Sequence, residues 1–175
     1  MRRSQQGGVA VNHTRKRAVA ATVGLLVSGL VVAVAVASPA LNFSATNLVA
    51  EAEMPDAIHV NSDRVKFQTK DPVDVRVQEV NIQPGGFSGW HHHPGIVIVA
   101  VKEGAITLVD GADCSATTYG PGSPNGSVFV ESGDTPGEAR NLSTDQPAKA
   151  YATFVAPDQD NPPVFRIEDA PVNCP

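Results

Sequence analysis

The pattern of apolar and polar positions divides the chain into an unbroken apolar stretch near its start and a long region of short alternating runs. From Ala18 to Ala37 the residues are Val, Ala and Leu, diluted by Thr22, Gly24, Ser28 and Gly29, with no charge. Twenty residues at helical rise make about 30 Å, the thickness of a bilayer's hydrocarbon core. The pattern predicts one hydrophobic helix over 18–37. After residue 57 no 3.6-residue period appears. Instead Val73, Val75 and Val77 alternate with Asp74, Arg76 and Gln78, the signature of a half-buried strand, and Val80 and Ile82 extend it to the break at Pro84-Gly85-Gly86. Ile96 to Val101 is apolar at every position and predicts a strand buried on both faces. Glu103-Gly104 turns it, and Ala105 to Val109 is expected to return as its hairpin partner. Further short strands are predicted at 128–130, 151–155 and 164–167. Short strands with frequent turns point to an all-β sandwich or barrel.

Composition agrees with that class. Hydrophobic residues make up 42% of the 175 residues but aromatics only 5%, so the core is expected to be mainly Val, Ile and Leu. The 15 glycines and 14 prolines supply turns.

Charge is distributed unevenly. Arg2, Arg3, Arg15, Lys16 and Arg17 fall within 1–17 with no acid, so the net charge of −5 conceals about −10 on the remainder. An acidic globular part repels phosphate backbones, which excludes nucleic acid as the expected partner. The basic cluster before the apolar run orients the N-terminus toward the cytoplasm. Residues 18–37 then read as a transmembrane anchor or, since Ala35-Val36-Ala37 is a small-x-small pattern before Ser38, as a signal peptide. The domain is expected at the outer side of the plasma membrane, or secreted if the segment is cleaved. Residues 38–57, rich in Ser, Asn and Thr and poorly periodic, read as a linker. In an oxidising compartment Cys114 and Cys174 are expected to form a disulfide, stapling the tail, 171–175, to a mid-chain loop.

Candidate chemistry centres on His91, His92 and His93. In a strand His91 and His93 share a face, roughly 6.5 Å apart, a spacing at which two imidazoles can hold one metal ion, while His92 points the other way. The surroundings sharpen this. Gly85, five residues, His91-x-His93 and, further on, Gly104 resemble the first motif of the cupin superfamily; the motif's glutamate position falls on Val97. Gly126 to Asn141 has the length and the ends of the second motif, but its proline and glycine positions fall on Ser132 and Asp134, and its histidine on Gly137.

The resemblance spans roughly residues 58–170 and implies a single cupin-type double-stranded antiparallel β-barrel of jelly-roll form, often dimeric, with a pocket at one mouth. It also implies a divalent metal on three histidines and a glutamate, of which this chain keeps His91 and His93. Gln78, Trp90, Val97 and Gly137 are the further pocket candidates, and His59, Glu79 and Glu138 are weighed as substitute ligands. Two readings follow. One is a small-molecule-binding cupin with a degenerate two-histidine site. The other is a metal-dependent enzyme of dioxygenase or isomerase type using Zn, Mn, Fe, Ni or Cu. No nucleophile beside a base is visible.

Overall fold

A computed structural model describes residues 37–158 and 162–174. The hydrophobic helix predicted over 18–37, and with it the basic 1–17 segment, lies outside the described residues apart from Ala37. Among the described residues no helix is long and apolar enough to cross a membrane.

Among the described residues twelve strands run in chain order: β1 Leu41–Met54, β2 His59–Asn61, β3 Lys66–Gln68, β4 Val73–Phe87, β5 His91–His92, β6 Ile96–Glu103, β7 Ile106–Asp110, β8 Ala116–Tyr119, β9 Val128–Ser132, β10 Gly137–Arg140, β11 Ala148–Pro157 and β12 Ile167–Glu168. Every pairing is antiparallel. One layer has the order β1-β4-β11-β6-β9 and the other β12-β5-β10-β7-β8. The long β4 joins the layers, because its end at Phe87 pairs with Arg140 of β10. The apolar faces of both layers meet in one core, as a two-layer β domain requires.

Strand alternation explains that core. On β11 the inward residues are Ala148, Ala150, Ala152, Phe154 and Ala156, all buried, while Lys149, Tyr151, Thr153 and Val155 alternate outward. Small side chains on a central strand leave space that larger ones would fill. The core cluster joins these alanines to Val80, Ile82, Val97, Val99, Val101 and Ile106 and to Phe129, Phe154 and Phe165.

Four expectations change. Residues 38–57 are not a linker, since Leu41–Met54 pairs with β4 from Leu41↔Phe87 to Met54↔Val73. The strand is held by backbone hydrogen bonds and is exposed at nearly every position, so it needs no apolar alternation and leaves none to read. The barrel accordingly starts near residue 41, and residues 59–68 form a separate small hairpin, β2–β3. The strand at Ile96 is buried on one face only: Val97, Val99 and Val101 point inward, whereas Ile98 and Ala100 are exposed. Lastly, β7 is not the partner of β6. Beyond Gly104, whose φ of 68° the turn requires, the chain crosses to the other layer, where β7 pairs with β10 and β8 while β6 pairs with β9 and β11.

The Cys114–Cys174 disulfide is formed. It fastens the C-terminal segment, residues 162–174, which lies along β5 through the β12 pairs Ile167↔His92 and Glu168↔His91.

Candidate metal centre

His91 and His93 come together as alternation predicts. Both are buried, and their rings meet edge-to-face with centroids 4.8 Å apart. His92 points away and is half-buried, its Nδ1 lying 2.7 Å from Asp169 Oδ2. What holds the two inner rings also fixes their tautomers. His91 Nδ1 donates to Gly89 O at 2.8 Å, and His93 Nδ1 donates to Phe165 O at 2.6 Å. A carbonyl can only accept, so each Nδ1 carries the proton and each Nε2 presents a lone pair. Burial pushes His91 down to about 3, and the nearby Arg166 adds to the effect; burial also lowers His93. Both imidazoles are therefore neutral ligands at physiological pH.

The third member is Glu131, on β9. Ligand atoms of His91, His93 and Glu131 all lie within 4.8 Å of one another, with His93 Nε2 3.8 Å from Glu131 Oε2. Burial raises the Glu131 carboxyl to about 7, against the opposing pull of Arg166. His93 Nε2 is buried with no hydrogen-bond partner. An orphaned buried acceptor is costly, and a metal ion between the three residues would satisfy it. Two imidazoles and one carboxylate form a donor set that suits Zn, Mn, Fe, Ni or Cu. The residues present fit the metal that the motif resemblance implies.

Glu131 has no counterpart among the cupin motif positions for acidic or imidazole ligands, so the motifs do not point to it. Its signal was positional: Val128-Phe129-Val130 was a predicted strand, and Glu131 is two residues beyond the inward Phe129 and so shares its face. The structure explains both substituted motif positions. Val97 stands directly across from Glu131. Gly137 pairs with His91, and a Cβ on it would lie 3.4 Å from Glu131 Oε1. The carboxylate thus fills the space next to which a side chain at 137 would project.

Beside the cluster is a cavity of ≈ 170 Å³. Its walls include Val80, Ile82, Val97, Val99, Phe129, Ala152, Phe154 and Phe165, and its polar members are Arg76, Gln78, Ser88, Arg166 and the cluster itself. Gln78 and Val97 are among the residues that line this cavity. Gly137 lies instead on a shallow depression shared with His91, His93 and Glu131. Trp90 does not line the cavity: it precedes β5 in the phase of His92, packs beside Gly111 and is buried away from the pocket. Among the weighed substitutes, Glu79 pairs with Lys149, Glu138 with Arg140, and His59 is exposed on β2.

Two antiparallel layers in this order, with a His-x-His strand facing inward at the edge of the cavity, define a cupin-type β-barrel. No family model and no curated protein matches the sequence. Similar solved structures include the polyketide cyclase RemF from Streptomyces resistomycificus, at 16% identity and TM-score 0.47, covering 71% of this chain and 73% of that one. A cupin-2 domain protein from Rhodospirillum rubrum is similar at 12% identity and TM-score 0.48, over 78% of this chain and 70% of that one. A cupin 2 domain-containing protein from Halorhodospira halophila follows at 14% identity and TM-score 0.43, over 55% and 58% respectively.

Proposed function

We propose that the barrel holds a divalent transition metal on His91, His93 and Glu131 and receives a small molecule in the adjoining cavity. The observation that carries this is His93 Nε2: buried, unpartnered, its tautomer fixed by Phe165 O, and facing the half-buried Glu131 carboxylate. Three protein ligands leave coordination positions open, and a metal so held supplies Lewis acidity and a place for a ligand to bind. The protein's own part is to keep both imidazoles neutral and oriented and to exclude water with apolar walls.

A binding role is the primary reading, because among the described residues no acid–base pair separate from the cluster lines the cavity. The two-histidine, one-carboxylate set favours a second reading, a metal-dependent enzyme of dioxygenase or isomerase type, since open positions beside a substrate-sized cavity are what such chemistry uses. We further propose that the domain works outside the cytoplasm, tethered by residues 18–37 or released from them. The basic flank of that run and the Cys114–Cys174 disulfide support this. Association of two copies, common in such barrels, remains part of the proposal.

Elemental analysis of the untagged full chain tests the metal reading. About one transition metal per chain is expected, lost when His91 and His93 are both changed to Ala. Absence of metal, with no shift of melting temperature on adding Zn, Mn, Fe, Ni or Cu, would refute it.

A further inference from the structure

The inward face of β4 changes character along its length. Arg76, Gln78, Val80 and Ile82 all line the cavity, so the strand offers a guanidinium and an amide at one end and aliphatic groups at the other. The sheet register places Arg76 in a continuous row. Arg76 of β4 stands across from Phe154 of β11, Phe154 across from Val97 of β6, and Val97 across from Glu131 of β9. Directly opposed residues in antiparallel strands face the same side, so this row crosses the cavity as guanidinium, phenyl, isopropyl and carboxylate. Three strand spacings separate its ends, about 14 Å between Cα atoms, with both charged side chains reaching inward.

The two guanidiniums at the cavity are not equivalent. Arg166 is neutralised by Glu168, to which both Nε and Nη2 donate, and its Nη2 also donates to Ser88 O. Arg76 has no carboxylate partner among the described residues. Its Nε donates to Ala50 O at 2.8 Å, and its Cζ sits 4.0 Å from the centroid of the Phe165 ring. Stacking and one carbonyl hold the group in place, yet neither balances its charge. With Nε engaged, the Nη1–Nη2 edge is what remains for a ligand, and two parallel N–H groups match a carboxylate.

We infer that the cavity's ligand is a small organic monocarboxylate. Its carboxylate lies on Arg76, its apolar body rests over Phe154, Val97 and Val99, and its far end meets the His91–His93–Glu131 cluster. One uncompensated guanidinium suits a monoanion. A cavity of ≈ 170 Å³ suits a body about the size of a benzene ring or a branched C4 chain. This deepens the reading of the cavity as a ligand site, but it rests on Arg76 rather than on the metal.

Calorimetric titration of the full chain, metal-loaded and metal-free, with benzoate and 3-methylbutanoate tests it. The corresponding amides serve as neutral isosteres. The acids are expected to bind about tenfold or more tightly than the amides. Arg76→Met should bring the acids down to the level of the amides, and Arg76→Lys should fall between, with metal content unchanged in both variants. The acid–amide comparison on the unaltered protein stands even if a variant folds poorly. No binding of either acid, equal binding of acid and amide, competition by inorganic phosphate as strong as by the acids, or indifference to Arg76→Met would overturn the inference. The two readings fail separately. Metal retained without acid preference sinks this one alone, whereas Arg76-dependent acid binding by a protein that takes no metal sinks the metal reading alone.

Discussion

Val97 and Glu131 stand directly opposite one another on β6 and β9. Residues so paired project to the same side of the sheet with Cβ atoms about 5 Å apart. The carboxylate that the first cupin motif would place at position 97 is therefore present one strand away, aimed into the same space. Val97 meanwhile is buried as part of the cavity wall. A site that reads as half lost along the chain has a third candidate ligand across the sheet.

Moving the carboxylate back should restore what removing it costs. Glu131→Gln keeps the size of the side chain but removes its charge, and metal affinity is expected to fall by about 100-fold or more, beyond the 10- to 100-fold typical of supporting groups. The double variant Val97→Glu, Glu131→Val should recover a substantial part of that loss. Competition with a chromophoric chelator measures both. Unchanged affinity in Glu131→Gln would remove Glu131 from the site.

How much of this was readable depends on whether the information was local. His91 and His93 were legible because a two-residue spacing in a strand dictates a shared face, whereas parity says that one of Gln78 and Glu79 faces inward without saying which. Val97 was expected to be buried only because its strand is apolar at every position, and that pattern does not tell the inner face from the outer. Glu131 was not legible, because its role follows from which strands are neighbours, and β6 was expected beside β7. Likewise β1 gave no signal: its stability comes from main-chain pairing with β4, which side-chain patterning does not record. Trp90 looked like a pocket residue by adjacency to His91, although alternation puts consecutive residues on opposite faces.

Metal binding should depend on pH through Glu131. Its carboxyl sits at about 7 in the metal-free fold, whereas His91 is already neutral down to about 3. Below about 7 the metal must displace one proton from Glu131, so affinity should rise about tenfold per pH unit up to that point and level off above it. An ordinary carboxylate would instead level off near 4.5. The same groups shape the stability of the metal-free protein. His91, held below its unfolded value of 6.5, costs stability as pH falls from 6.5 toward 3, because the unfolded chain takes up the proton. Glu131, raised above 4.5, costs stability as pH rises from 4.5 to 7, because the unfolded chain releases its proton first. The two oppose between 4.5 and 6.5, and below 4.5 Glu131 no longer offsets the histidine effect, though the raised carboxyl of buried Asp74 offsets part of it. Chemical denaturation across pH 3–8 should show a steeper acid loss below 4.5 than above it; a uniform slope would contradict these assignments.

The disulfide should matter to the site as well as to the fold. Cys174 ends a segment that contributes Phe165 and Arg166 to the cavity wall, and Phe165 O accepts from His93 Nδ1. Cys114 and Cys174 are 60 residues apart, so on the chain-entropy account their link contributes about 4 kcal/mol. The variant Cys114→Ser, Cys174→Ser is expected to lose up to about that much stability. Metal should also bind up to about tenfold more weakly in it, as the hold on the His93 ring loosens. Stability lost with metal affinity intact would mean that the β5–β12 pairing alone secures the segment.

Asn141 offers a test of the barrel independent of any ligand. It closes the second motif and is 1% exposed. Its Nδ2 donates to Ile82 O at 2.9 Å and to Gln146 O at 2.8 Å, and its Oδ1 accepts from Ser143 N at 3.0 Å. Its backbone N–H bonds Gly86 O, and its carbonyl accepts from Gly85 N. One side chain thus joins β4 to the turn that leads into β11, the two strands that carry the inner face of the cavity. Asn141→Leu preserves volume but strands Ile82 O and other main-chain groups without partners, each costing about 1–3 kcal/mol where buried. A loss of roughly 2–5 kcal/mol is expected in urea unfolding. Asn141→Asp should also destabilise, because it keeps the acceptor for Ser143 N but loses both donors and adds a buried charge. A change below about 1 kcal/mol in Asn141→Leu would mean that water replaces the amide, and that this turn is more open than its burial implies.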